Sequence, residues 1–183
     1  MKKTLLILAM ASAMIISSCA VADKADDTNT NDETQQELNE GNVSMGGLQV
    51  VNPIKNYENA QGIADALGFT VNPIPGAENI SFSTISNDIA QARYMYEGLE
   101  YTLRANDDEG DSSGVYTAAS SEETLTVEIS GGSAIEVLVK NLTDGNTLLS
   151  WSDNTIHYSL YIIGAPEDIS TITTSTVLSN ANN

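Results

Sequence analysis

The sequence predicts an α+β fold, a short N-terminal helix packed on a curved antiparallel β-sheet of about six to eight strands. Three observations carry this. One stretch near residues 60–67 repeats its apolar residues at helical spacing, seven later stretches read as strands of period near 2, and clusters of Gly, Asn, Asp and Ser separate them. The domain is expected over residues 48–183, a length that suits one hydrophobic core.

The chain opens differently. Lys2 and Lys3 precede an apolar run from Leu5 to Ile16 broken only by Ser12. A bilayer span takes about 20 apolar residues, so residues 1–18 read as a secretory signal rather than a transmembrane helix. Ile16-Ser17-Ser18-Cys19 resembles the bacterial lipobox, in which a cysteine after two small residues carries the lipid. The resemblance implies that Cys19 receives a diacylglyceryl group, becomes the mature N-terminus and holds the protein on the extracytoplasmic face of the cell membrane. One acyl chain binds only marginally, at about 0.8 kcal/mol per buried methylene, whereas two anchor stably. Cys19 is the only cysteine, so stability has to come from packing rather than disulfides.

With the signal removed, five basic side chains face 25 acids, a net charge of about −20. Such a charge repels phosphate backbones and anionic headgroups, which excludes nucleic acid and leaves the lipid as the only membrane contact. Residues 23–42, "DKADDTNTNDETQQELNEGN", hold seven acids and a single large apolar residue, Leu38. This composition cannot bury enough surface to offset its ordering entropy, so residues 19–47 read as a lipidated cysteine and a disordered acidic tether.

Within the domain, "LQVVNPI" opens as a strand-like run stopped at Asn52-Pro53, because proline keeps its predecessor extended and lacks an N–H. In "NAQGIADALGF", Asn59 suits an N-cap, Ala60, Ile63, Ala64 and Leu67 share a face, and Gly68 suits the C-terminal stop. Gly62 weakens this helix, which has to rely on docking. The strand candidates are "FTVNPI", "ISFSTI", "AQARYMYEGLEYTLRA" with a turn at Glu97-Gly98, "TLTVEIS", "AIEVLVK", "TLLSWS" and "TIHYSLYII". "SGGS" at 130–133 and "TDGN" at 143–146 are further turns. Residues 166–178 have near-helical spacing of Ile169, Ile172 and Val177, but their threonines favour a strand almost as well.

The order "NPI", thirteen residues, "GF", a tyrosine-rich hairpin at 93–104, an acidic loop ending in "SSGVY", a tryptophan strand "LLSWSD" and "HYSLYI" is similar to an uncharacterised domain of Gram-positive lipoproteins and sensor-like membrane proteins. Some such relatives carry it outside the membrane on anti-sigma-type proteins. The resemblance implies the fold and an extracytoplasmic place, and it supplies no catalytic residues. This chain departs from the pattern at Gly62, where a glutamate would complete a capping box.

Candidate chemistry is sparse. His157 is the only histidine, and strand alternation puts it on one face with Ser159 and Tyr161, opposite Ile156, Tyr158 and Leu160. No Gly-x-Ser-x-Gly turn exposes a serine, and one histidine with one lipidated cysteine cannot assemble a zinc site, so no enzyme is expected and His157 is read as an ordinary strand residue. Asp107, Asp108, Glu109 and Asp111 offer oxygen ligands for calcium in one loop, although the EF-hand register fails and a solvated loop is the commoner outcome. Tyr101 and Tyr161 are candidates for a binding face, while Trp151, Tyr94 and Tyr96 are read as core. No other cofactor is implied. Three functions compete: a non-enzymatic binding or sensory module for an envelope peptide, glycan or protein, a docking accessory in envelope signalling or assembly, and a carboxylate-based hydrolase.

Overall fold

The computed structural model describes residues 53–108 and 110–181, together with the backbone of two short paired strands, β1 (Ser44–Met45) and β2 (Leu48–Gln49). The signal segment, Cys19, residues 20–43 of the expected tether and Glu109 lie outside the described residues, whereas Ser44–Met45, inside the expected tether at 19–47, pair as β1. The remaining elements are β3 (Ile54–Tyr57), α1 (Ala60–Leu67), β4 (Glu78–Ile85), β5 (Ile89–Tyr96), β6 (Leu99–Asn106), β7 (Ala119–Glu128), β8 (Ala134–Leu142), β9 (Thr147–Asp153), β10 (Ile156–Ile163) and α2 (Ile169–Asn180). Strands β3 to β10 form one eight-stranded antiparallel sheet in the order β3-β4-β5-β6-β10-β9-β8-β7. The fold is mostly β with two helices.

Alternation divides the sheet into two unlike faces. Ala92 pairs with Leu103, Leu103 with Leu160, Leu160 with Leu149 and Leu149 with Val139, so one buried row crosses five strands. Tyr94 lies opposite Tyr101 and Trp151 opposite Tyr158, and each pair stacks with ring centroids 5.2 Å and 5.1 Å apart. Such pairs contribute about 0.5–1.5 kcal/mol beyond area burial. One register step away, the other face carries Gln91, Arg104, Ser159 and Ser150 in a parallel row. At Glu97-Gly98, φ values of 49° and 78° make the two-residue hairpin turn the sequence predicts.

The helices serve the apolar face. Asn59 caps α1, its side chain accepting from Gly62 N at 3.2 Å, and Gly68 ends it at φ 83° with its N–H on Ala64 O. A Cβ on Gly62 would lie 2.8 Å from Tyr57 Cδ1, so the glycine that weakens the helix also lets it approach β3. "FTVNPI" is not a strand. Residues 69–74 run as irregular chain that buries Phe69, Val71 and Ile74, because Pro73 removes a ladder donor and the apolar side chains have the helix layer to fill.

Residues 169–180 are helical. Asp168 caps them, accepting from Thr171 N at 3.0 Å and Thr171 Oγ1 at 2.7 Å, bonds that hold its carboxyl below the usual range. Thr173, Thr176 and Ser179 turn their hydroxyls onto the carbonyls of Ile169, Ile172 and Ser175, which lets strand-favouring residues sit in a helix without orphaned hydroxyls. The last turn is pinned by a reciprocal clasp. Buried Asn180 accepts from Asn72 N at 2.8 Å and donates to Asn72 O at 2.9 Å, while Asn72 Nδ2 donates to Ser179 O at 3.1 Å.

Gly62→Ala is expected to destabilise the protein although alanine is worth about 1 kcal/mol more than glycine inside a helix. In a Tyr57→Ala background the same change should stabilise; equal effects in both backgrounds, measured by denaturant unfolding, would break the packing explanation. Burial pushes the Tyr94 phenol up, and burial, helped by Glu97 and Tyr96, pushes Tyr101 up to about 12 from its ordinary value of 10. A phenol held neutral in the fold stabilises it fully below pH 10, and that stability is lost as pH rises from about 10 through 12. Tyrosinate absorbance should therefore lag for two rings until an alkaline unfolding transition in that window.

Candidate functional site

The open face acquires its site from a topological constraint. β6 and β7 run parallel with β10, β9 and β8 between them, so residues 107–118 must cross roughly 19 Å of sheet, four spacings of about 4.8 Å. They cross on the polar side. Arg104 Nη1 donates to Ser112 O at 3.2 Å and to Ser113 O at 2.7 Å, its Nε donates to Gln91 Oε1 at 2.9 Å, and Gln91 Nε2 donates to Ser83 Oγ at 3.1 Å. Ser112 Oγ lies 3.5 Å from Ser159 Oγ on β10. Further along, Thr117 Oγ1 donates to Asp144 Oδ2 at 3.3 Å and Thr143 N to Ala118 O at 2.9 Å.

Arg104 is half-buried, and that burial, with Arg93 adding repulsion and Asp111 opposing it, pushes its guanidinium down from its ordinary value. A guanidinium remains charged under such a shift, so the strap is held by charge-assisted bonds. Gly114 follows from this geometry. Its φ is +66° and a Cβ there would stand 2.7 Å from Arg104 Nη1, which accounts for the glycine in "SSGVY".

Beside the strap the open face is hollowed into a cleft of about 460 Å³. Asp111 and Ser112 of the strap, Ser150 and Ser152 of β9, and His157 and Ser159 of β10 line it, with Lys140, Leu138 and Leu148 along the side toward β8. His157 Nδ1 and Ser152 Oγ are 2.8 Å apart, and the two residues are direct cross-strand partners. Strand register accounts for this bond without a catalytic role. Tyr161 shares the face, its hydroxyl accepting from Asn146 Nδ2 at 2.6 Å.

Several expected sites fall elsewhere. Tyr101, a candidate for the binding face, is fully buried, stacked on Tyr94 and edge-on to Tyr96, because its register with Tyr94 and Ile162 puts it on the core side. Trp151 and Tyr94 are buried as expected, and Tyr96 is half-buried. In the acidic loop, Asp107 and Asp108 are exposed and the Asp111 carboxylate accepts from Ser113 N at 2.8 Å, closing a turn. Among the described residues no group of three or more His, Cys, Asp and Glu side chains is arranged to hold a metal ion. Tyr116, at 97% exposure on the strap, is a fully exposed ring that strand alternation did not single out. Its sequence signal was position, in a Gly/Ser/Asp loop outside any alternating run. No protein-family model, curated protein or solved structure matches the chain.

Gly114→Ala should lower stability by about 1 kcal/mol or more, since it forces a non-glycine residue to positive φ and displaces the guanidinium. Thermal melting and limited proteolysis of the strap measure it. Arg104→Lys, which cannot hold two carbonyls and Gln91 at once, should loosen the same loop; unchanged melting and cleavage in both variants would show that Arg104 does not secure the crossing.

Proposed function

We propose that this chain is a lipid-anchored extracytoplasmic lipoprotein whose domain is a non-enzymatic binding module, presenting the strapped open face of its sheet to an envelope ligand. One observation supports this reading most. Both helices and the apolar segment 69–77 serve one face, while the other holds a polar cleft walled by a loop whose own hydrogen bonds keep it in place. Ligand sites are concave, largely preformed and furnished with a few convergent polar groups. The cleft has that character, with serine hydroxyls, a histidine and a lysine above two leucines.

The N-terminal pattern supports the address. A basic start, an apolar run, two small residues and Cys19 occur in lipobox order, followed by about twenty strongly polar residues. The resemblance to an uncharacterised extracytoplasmic domain agrees with it. The same reading takes the sheet to curve about the helix layer, as the register shifts between Glu78 and Ser81 and between Ala119 and Ser121 favour.

Cys19→Ser should abolish incorporation of labelled palmitate and release the protein from the membrane fraction or leave it as uncleaved precursor, while the domain still melts like the wild type. Two acyl chains are the anchor in this account. Lipid on the serine variant, or mass spectrometry showing wild-type cleavage well beyond residue 19, would sink it.

A further inference from the structure

We infer that the cleft beside the 107–118 strap binds a neutral, hydroxyl-rich ligand, a saccharide unit, through the serines of β9, β10 and the strap. The inference rests on the binding-module reading and adds the ligand's chemical class. Four serines, Ser112, Ser150, Ser152 and Ser159, line one cavity; Ser112 and Ser159 are buried with their hydroxyls 3.5 Å apart, and Ser152 bonds His157. A serine hydroxyl donates one hydrogen bond and accepts two, so each keeps capacity beyond the partner it already has. Sugar hydroxyls have the same dual character, so a polyol satisfies both halves of this set. A carboxylate or phosphate would use only the donors.

The remaining lining agrees. Asp111 and Lys140 are opposite charges at one cleft, and Lys140 also pairs with Glu122 at 3.5 Å, so the cavity carries little net charge. Around it stands a domain of about −14, 18 acids against four basic side chains over residues 48–183, which repels anions at range. A neutral ligand meets neither penalty. Leu138 and Leu148 belong to the open face, by their register with Ser150 and Lys140, and supply a small apolar surface of the kind that the C–H side of a pyranose covers. A volume of about 460 Å³ falls within the range of small-molecule sites.

The geometry also says which residues matter. Ser150 sits between Ser159 and Leu138 in the cross-strand row, at the middle of the cavity floor. Filling it with a branched apolar side chain would occupy ligand volume and remove a hydroxyl in one change, and valine suits a strand. His157 bonds Ser152 through Nδ1 and so fixes that serine at the cleft's edge.

The test is a titration of the full chain, isotope-labelled for amide shifts, with cellobiose, maltose and N,N′-diacetylchitobiose, each to about 20 mM and so well above the ~1 mM Kd of a weak site. Glucuronate, inorganic phosphate and a neutral tripeptide form the contrasting arms. We expect saturable shifts confined to residues 110–113, 148–152 and 157–159 with at least one neutral disaccharide. Ser150→Val should weaken that binding about tenfold or more, and Ser170→Ala, on the exposed side of α2, should leave it unchanged. A Ser150→Val protein that melts with the wild type but binds equally well would remove the cleft from the account. Saturation by glucuronate, phosphate or peptide with no response to sugar overturns the ligand class. Absence of saturation in every arm overturns the saccharide site, while the palmitate experiment on Cys19 independently decides the anchor.

Discussion

The rest of the domain depends on the pairing of β6 with β10. These strands are more than fifty residues apart in sequence, yet seven register pairs from Glu100↔Ile163 to Asn106↔His157 join them at the centre of the sheet. On one side the chain meanders β3-β4-β5-β6, and on the other it meanders β7-β8-β9-β10 back toward the middle. Without the central pairing each half would be a four-stranded sheet with an exposed apolar edge. With it, Leu103 and Leu160 meet, and the leucine and valine rows of both halves become one core.

That pairing also creates the site. Because β7 starts at the far edge, the link from β6 must travel over a face, and the helices already occupy the apolar one. The link therefore runs over Ser159 and is tied by Arg104, the half-buried cation at the end of the Ser83–Gln91–Arg104 chain of side-chain bonds. A crossing chain that stays hydrogen-bonded to one part of the sheet leaves a hollow beside it. The cleft, the strap and the glycine at 114 are thus consequences of one topological fact.

Much of this was legible in the residues, for reasons that differ by element. The α1 caps are local, so Asn59 and Gly68 could be read from neighbours three and four positions away. The Glu97-Gly98 turn was legible because alternating arms flank it, and His157 fell opposite Tyr158 because strand parity is strict. By contrast, "FTVNPI" has the composition of a strand, but Pro73 removes a ladder donor and no strand among the described residues pairs with it. The threonines of α2 favour neither helix nor strand decisively on local grounds, and their helix depends on back-bonded hydroxyls and on Asn180 meeting Asn72. Tyr101 was misplaced although the Glu97-Gly98 turn sets it opposite Tyr94, so a core reading of one ring carries the other with it.

By itself, then, the sequence determined a range of six to eight antiparallel strands, the α1 caps, the tight turns and a lipobox-like N-terminus. Each of these is set by chemistry within a few residues. Only the tertiary structure decided which face of the sheet was buried, that residues 69–74 would be irregular, that 169–180 would be helical, and that Ser112, Ser159 and His157 would line one cleft beside a strap tied by Arg104. Those outcomes turn on contacts between segments separated by tens to more than a hundred residues. Their energies appear only once β6 has found β10 and the chain between them has been forced across the open face.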